Sequence, residues 1–482
     1  MAEREYEAVI GLEVHVQLKT RSKLLCADAA EFGAPPNTHV CPVCLGLPGA
    51  LPTINARAVE QGVRAALALG CTVNPALAFA RKHYFYPDLP KGYQVTQHDR
   101  PLAGSGSVEV PAEDGGDGVR TVRIRRVHLE EDTGRTLHDP GARVTRVDLN
   151  RAGIPLAEVV TEPDLASPAQ ARAFLVHLRR LLEYAGASDV AMEEGGLRVD
   201  ANVSLRLAGA GEAGTRTELK NLSSFGGVEH ALDWEIARQA GVLRAGGTVE
   251  PETLLWDAER GEGRPLRGKE DSAAYRYLPD PDLPPLELEP AWIERVRASL
   301  PEMPAERAAR LVAEYELPPG QAAVLTSTRD LADYFEAVAR GGAGPREAAA
   351  WVLGDVLAAV RAAGVPLSEF RVRPSDLVVL LELLRQGVVS RPGARRVFAR
   401  MVETGAAPVQ IVAEEGLARS EDEAEVGRWV DEALAAHPAE AERLRAGETR
   451  LADFFVGQVV RISGGRADPR EAEAALRART GG

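Results

Sequence analysis

The segment Tyr6-Glu-Ala-Val-Ile-Gly-Leu-Glu-Val-His-Val-Gln-Leu-Lys19 alternates apolar and polar residues along its length. Ile10, Leu12, Val14, Val16 and Leu18 fall on one face and Glu13, His15 and Gln17 on the other, the pattern of a strand with one dry side. Leu197–Leu207 repeats it: Val199, Ala201, Val203 and Leu205 point one way, Asp200, Asn202, Ser204 and Arg206 the other. After a glycine-rich turn, Arg216, Glu218 and Lys220 line one face of a further strand. A single polar sheet face ordinarily meets water. Three of them, together with His128-Leu-Glu-Glu-Asp-Thr-Gly134, predict a polar, concave floor able to hold a metal ion and a charged ligand.

Glu13, His15, Glu130 and Glu131 are the hard-metal candidates on that floor, because magnesium prefers carboxylate oxygens and commonly bridges protein to phosphate. Strand parity puts His128 with Glu130 and sends Glu131 to the other face, unless the turn that follows breaks the alternation. The loop Arg81-Lys-His-Tyr-Phe-Tyr-Pro-Asp-Leu-Pro-Lys-Gly-Tyr-Gln-Val-Thr-Gln97 adds charge and aromatic rings broken by Pro87, Pro90 and Gly92. Basic residues are almost all arginine; the six lysines are Lys19, Lys23, Lys82, Lys91, Lys220 and Lys269, so each can be asked what it is kept for. A compact ammonium suits a phosphoryl oxygen. On that ground Lys82, Lys91 and Lys220 are read as functional, whereas Lys19 and Lys23 are read as chance retention. Carboxylates flanked by lysines match phosphoryl transfer, where catalysis is mainly positioning and neutralisation.

Cys41-Pro-Val-Cys44 is a tight knuckle with Cys26 in reach, a loop zinc site in need of a fourth ligand, for which Asp28 and His39 are nearest. Cys71 reads as a small core residue. Three motifs mislead. Gly209–Gly214 spells G-x-G-x-x-G but opens no helix. Gly263–Lys269 approaches a P-loop, yet Glu270 replaces the required Ser or Thr. Val43-Cys44-Leu-Gly46 resembles a nucleophile elbow, with Pro42 where glycine is needed. No convincing nucleophile remains.

The net charge of −14 argues against a protein that coats nucleic acid, though not against a local basic groove. The absence of long apolar runs and of a signal-like start leads to the expectation of a soluble, cytoplasmic protein with no membrane attachment. Near residue 290 short alternating segments give way to Ala/Arg/Glu/Leu-rich helical spacing, as in Ala348–Ala363 and Glu421–Ala436, across the proline-rich Pro279–Pro290. The fold expected is α+β, with helical domains following the mixed body.

In order along the chain, Val9–Val16, Val40–Gly49, Arg81–Gln97, His128–Gly134, Val147–Arg151, Thr161–Asp164, Glu218–Leu222, Tyr275–Pro284 and Phe455–Gln458 resemble the B subunits of aspartyl/glutamyl-tRNA(Asn/Gln) amidotransferases, almost end to end. The resemblance implies a glutamine synthetase-like cradle domain over 1–292, a helical domain over 293–405 and a tail domain over 406–482 that grips tRNA. It implies ATP- and Mg2+-dependent phosphorylation of the side-chain carboxylate of mischarged Glu-tRNA(Gln) or Asp-tRNA(Asn), followed by amidation. Ammonia would come from glutamine through an amidase partner, the A member of a heterotrimer completed by a small C member, and an aminoacyl-tRNA synthetase is a further partner to expect. The site residues expected are Lys82, Lys91, Glu131 and Lys220 for catalysis, with Arg81, Tyr84, Asp88, Asn202, Ser204, Arg206 and Glu218 for the nucleotide. Magnesium would take Glu13, His15 and Glu130 or Glu131; zinc would take Cys26, Asp28, Cys41 and Cys44. Two departures stand out: Asp28 replaces a cysteine of the zinc-bearing pattern, and Leu254 stands where an arginine is common. No room exists between Tyr277 and Trp292 for the inserted domain of the archaeal-type relatives, which favours the bacterial type. The competing class is a non-catalytic, zinc-containing tRNA-binding or assembly protein. It accounts for the helical tail and the knuckle, but not for the carboxylate floor.

Overall fold

The computed structural model describes residues 6–111, 118–138, 141, 144–190, 192, 195–209, 211–266, 275–420 and 422–481. Lys269, Glu270 and Glu421, named above, lie outside them. Two compact units divide the chain, Met1–Met303 and Pro304–Gly482.

The first unit is built on the alternating segments. Tyr6–Gln17 is a strand at the centre of a nine-stranded sheet, between Leu197–Leu207 on one side and Pro155–Thr161 on the other. Outward from Leu197–Leu207 come Thr217–Leu222, Thr253–Asp257 and Glu262–Pro265; outward from Pro155–Thr161 come Val119–Glu131, Ala103–Pro111 and Thr72–Val73. All neighbours are antiparallel except Thr217–Leu222 and Thr253–Asp257. Ile10, Leu12, Val14 and Val16 are at most 1% exposed and join one core with Val59, Phe174, Leu178 and Leu232 from helices Ala56–Ala68, Pro168–Ala185 and Phe225–Arg244. Burying each such side chain contributes about 1.5–3 kcal/mol. The helices start where their caps dictate, with Asn55, Ser167 and Ser224 each accepting a backbone N–H of the first turn. Gly62 lets the first of them lie close on the sheet: a Cβ there would stand 2.7 Å from a Leu129 methyl. With that face committed to helices, the Glu13–His15–Gln17 side is left for polar groups.

The proline-rich segment is no free tether. Leu278–Pro279 pairs with Ala80–Arg81 and Leu286–Glu287 with Ala76–Leu77, and Ile293 and Val296 of helix Pro290–Ala298 enter the core of the first unit. The division falls after Met303 because these apolar residues have their partners in the sheet body.

The second unit is helical throughout its described residues, with two apolar clusters: one from Leu311 to Leu417, another from Val430 to Leu476. The helical run expected over Ala348–Ala363 contains a wider turn at Val352–Val356 between Pro345–Trp351 and Leu357–Ala363. The last helix, Pro469–Thr480, begins with Asp468 accepting from Arg470 N and Pro469 at its first position. Glu471 does not complete a capping box, because Arg419 takes its carboxylate.

Candidate functional site

Cross-strand register brings the hard donors together. His15 lies opposite Glu158, and Glu158 opposite His128 on the next strand. Glu130 sits one polar position farther along that strand. His15 Nε2 is 3.5 Å from Glu130 and 3.4 Å from Glu158; His128 Nε2 is 3.0 Å from Glu158 and 3.6 Å from Glu130. Thr96 Oγ1 donates to Glu130 at 3.2 Å. One ligand atom each from His15, Glu130 and Glu158 falls within 4.8 Å of the others, a set of one imidazole and two carboxylates that fits Mg2+ or Mn2+. Burial alone would discharge these groups, but they offset one another. It works against a charged His128, yet Glu158 and Glu130 outweigh it and hold the pKa up at about 9. Burial likewise pushes the Glu158 carboxyl upward, and His128 and His15 overcome this to keep it well below the ordinary range.

Glu158 was not anticipated. The signal was the one charged residue in Pro155-Leu-Ala-Glu-Val-Val-Thr161, a wholly buried strand.

Glu131 does not join the cluster. Alternation holds through the end of its strand, so its carboxylate is on the other side, where both oxygens accept from Lys91 Nζ at 2.5 Å and one from Val95 N at 3.1 Å. Both side chains of the pair are at most 7% exposed. Lys91 meets this carboxylate with at most two of its three N–H donors, a buried ion pair that ties the loop to the end of strand Val119–Glu131. Lys82, from the neighbouring strand Ala80–His83, does face the cluster. Burial disfavours its charge, but Glu130 and neighbouring groups raise its pKa above the lysine norm. Its Nζ lies 4.7 Å from the centre of the Tyr275 ring, a cation–π contact.

Glu13 sits one row along, opposite Asp200, with Asn202 Nδ2 at 3.3 Å. Burial first, then repulsion from Glu158, Glu218 and Asp200, raises its pKa. Lys220 bridges Asp200 at 2.9 Å and Glu218 at 3.0 Å. This acid-rich group adjoins the His15 cluster without sharing its donors. Ser204 and Arg206 continue along the strand, and Arg206 pairs with Glu7. Arg206 is eight residues beyond the position opposite His15, roughly 27 Å at strand spacing, too far to share one phosphate with it. Arg81 is bound to Asp280 at 2.9 Å and Asp282 at 2.7 Å, and the Tyr84 hydroxyl donates to Asp88 at 3.0 Å. Those three residues brace the loop. Leu254 is buried in the core of the first unit.

The soft donors also converge. Asp28 Oδ2 is 3.0 Å from Cys44 Sγ and 3.5 Å from Cys26 Sγ; Cys26 and Cys44 are 3.4 Å apart, Cys41 and Cys44 3.8 Å. Zinc–sulfur bonds of about 2.3 Å arranged as a tetrahedron put sulfurs about 3.8 Å apart, so the set fits zinc. The imidazole of His39 is not among the converging donors, and its backbone carbonyl accepts from Lys23. Lys23, read from sequence as unremarkable, is fully buried, with Nζ 2.7 Å from His39 O and 3.5 Å from Cys44 Sγ. It places an ammonium beside the Cys44 sulfur. The knuckle also touches the Lys91 loop: Gly46 has φ +64°, and a Cβ there would stand 2.6 Å from Lys91 Cγ.

In the second unit, Arg395 is paired with Asp355, Arg400 with Glu415 and Arg466 with Glu425. Arg373, Arg391 and Arg470 are exposed and have no side-chain partner among the described residues. No helix among those residues is long and apolar enough to cross a membrane.

Residues 8–294 match the family described as the GatB/GatE catalytic domain, and residues 333–479 match the GatB domain. The chain is 47% identical, over 96% of both sequences, to the B subunit of the aspartyl/glutamyl-tRNA(Asn/Gln) amidotransferase of Prosthecochloris aestuarii. It is 49% identical to the corresponding protein of Moorella thermoacetica, over 96% of this chain and 98% of that one. With the Carboxydothermus hydrogenoformans protein it shares 46% identity over 98% of each.

Proposed function

Since the chain belongs to the family of aspartyl/glutamyl-tRNA(Asn/Gln) amidotransferase B subunits, enzymes of tRNA-dependent amidation, we propose that its first unit activates the side-chain carboxylate of a mischarged tRNA by phosphorylation. The observation that carries this reading is the convergence of His15, Glu130 and Glu158 under Lys82. A free carboxylate resists attack by ammonia because its leaving group would be an oxide. Attack of a carboxylate oxygen on the γ-phosphorus of ATP releases ADP and leaves an acyl phosphate. Ammonia then adds to the acyl carbon, inorganic phosphate departs with the electron pair of the broken C–O bond, and the nitrogen passes one proton to the departing phosphate, leaving the neutral amide. A magnesium ion held by His15, Glu130 and Glu158 would supply charge neutralisation for phosphate.

The chain's own residues do the rest in this reading. Lys82 holds a positive charge toward the transferring phosphoryl group. Lys220, Asn202 and Glu218 form the adjoining nucleotide-facing surface, and Glu13 tunes its charge. Lys91, Glu131, Arg81, Tyr84 and Asp88 position the loop that carries Lys82. The cluster of Cys26, Asp28, Cys41 and Cys44 holds a structural zinc that fixes the knuckle against Lys91. The first unit is then a glutamine synthetase-like cradle. The helical unit takes tRNA through Arg373, Arg391 and Arg470, whose joint change to alanine would lower the salt dependence of tRNA affinity. Ammonia comes from the amidase partner, with the small third member completing the assembly in the cytoplasm.

The test is ADP release by the chain assembled with its amidase partner. Release should require mischarged tRNA and a divalent cation. Equal release with correctly charged tRNA, or none with any tRNA, would remove the proposal.

A further inference from the structure

Two groups of contacting aromatic rings lie beside Lys82. Tyr86 and Tyr84 lie 6.5 Å apart with planes 17° from parallel. Tyr275 meets Tyr277 edge-on at 6.2 Å, and Tyr277 stacks on His98 at 4.2 Å and 9°. Lys82 sits over Tyr275, and Tyr277 faces Glu158 and Glu130. Both ends are open, with Tyr86 46% exposed and the His98 side chain 47%.

This arrangement is poor economy for a core, which would bury its rings, and the backbone is strained to make it. Arg276, between the two tyrosines, has φ +44°, a left-handed conformation that residues with a Cβ avoid unless surroundings enforce it. The His83 ring nitrogen, 2.9 Å from Arg276 O, helps to enforce it. The result turns both rings inward and leaves the Arg276 side chain exposed, with no partner among the described residues. Rings in series with an unneutralised guanidinium are the elements by which proteins hold single-stranded nucleic acid: bases stack on the rings and phosphates meet the cation.

We propose that the Tyr86–Tyr84–Tyr275–Tyr277–His98 strip, with Arg276, binds the unpaired 3′ nucleotides of the mischarged tRNA and feeds the aminoacyl ester past Lys82 to the phosphoryl-transfer site. The inference rests on the function proposed above and specifies how its substrate is held. An apolar protein segment would also seek exposed rings, but it gives no use to Arg276.

Tyr86→Ala and Tyr277→Ala are measured in the enzyme assembled with its amidase partner. Each should raise the KM for mischarged tRNA about ten-fold while the KM for ATP stays within about two-fold. Tyr86→Phe and Tyr277→Phe, which keep the ring, should restore it. Tyr86 is half exposed, so its variant keeps the test sound even if Tyr277→Ala unfolds. An unchanged tRNA KM in Tyr86→Ala, with an active parent enzyme, overturns the strip and leaves the phosphorylation reading standing. A second measurement stands apart from activity. A short single-stranded RNA ending in CCA, with 2-aminopurine as its last base, should lose fluorescence on binding the parent protein and less on binding Tyr277→Ala. Equal quenching by both overturns the strip, even should the parent release no ADP.

Discussion

The two metal-fitting clusters are made in opposite ways. His15, Glu130 and Glu158 come from three neighbouring strands, are set by register, and offer hard donors in a buried cleft. Cys26, Asp28, Cys41 and Cys44 come from one loop region, are set by local spacing, and offer soft donors nearer the surface. A sheet fixes donors to within a pleat, which suits a cation that must meet substrate in a defined geometry. A loop needs its metal to be ordered at all. The comparison predicts that loss of the first cluster removes chemistry and spares the fold, while loss of the second loosens the fold first.

The largest effect should come from Glu158→Gln, which keeps shape and removes a charge from the hard site. ADP release dependent on mischarged tRNA should fall about a thousand-fold, with a smaller loss of thermal midpoint than in Glu131→Gln, because the His128 imidazole left behind can shed its proton. An activity within ten-fold of the parent would break the comparison at its strongest point. Glu131→Gln should behave oppositely to its sequence neighbour. It strands the Lys91 ammonium in a buried site and should cost the first unit about 3 kcal/mol or more in chemical unfolding. Adding Lys91→Met should recover much of that stability. If Glu131→Gln is as stable as the parent, the pair is not the brace described here.

That contrast between Glu130 and Glu131 shows what sequence carried. Period-two alternation in Tyr6–Lys19 and Leu197–Leu207 gave the strands, their faces and the polar floor, because side-chain direction along a strand is local information. Parity pointed Glu130 and Glu131 to opposite faces but left the choice open, because a turn follows at once; Cys41–Cys44 spacing announced the knuckle. Glu158 escaped because strand pairing, not spacing, brings it opposite His15 across 143 residues of chain. Lys23 escaped for the same reason: only the fold shows that its ammonium is sealed in beside Cys44. The proline-rich stretch misled in the other direction, since its prolines lie at the ends of short edge pairings and its apolar residues return to the first core.

Smaller effects should mark the soft cluster. Three thiolates and a carboxylate on one zinc ion carry excess negative charge, which Lys23 is placed to offset. Asp28→Asn should weaken zinc binding about ten- to a hundred-fold in chelator competition, and Lys23→Met about ten-fold. Both should lower the thermal midpoint before they lower the rate per folded molecule. Zinc affinity unaffected by Lys23→Met would leave that lysine a packing residue only.

The most direct test is of the hard site itself. Mn2+ in place of Mg2+ reports its ligands through pulsed electron paramagnetic resonance, since an imidazole nitrogen bound to manganese modulates the echo. The full-length protein should show modulation from one directly bound nitrogen, retained in Glu131→Gln and lost in His15→Gln. Manganese that binds without nitrogen modulation, or modulation that survives His15→Gln, would contradict the placement of the cation at His15, Glu130 and Glu158.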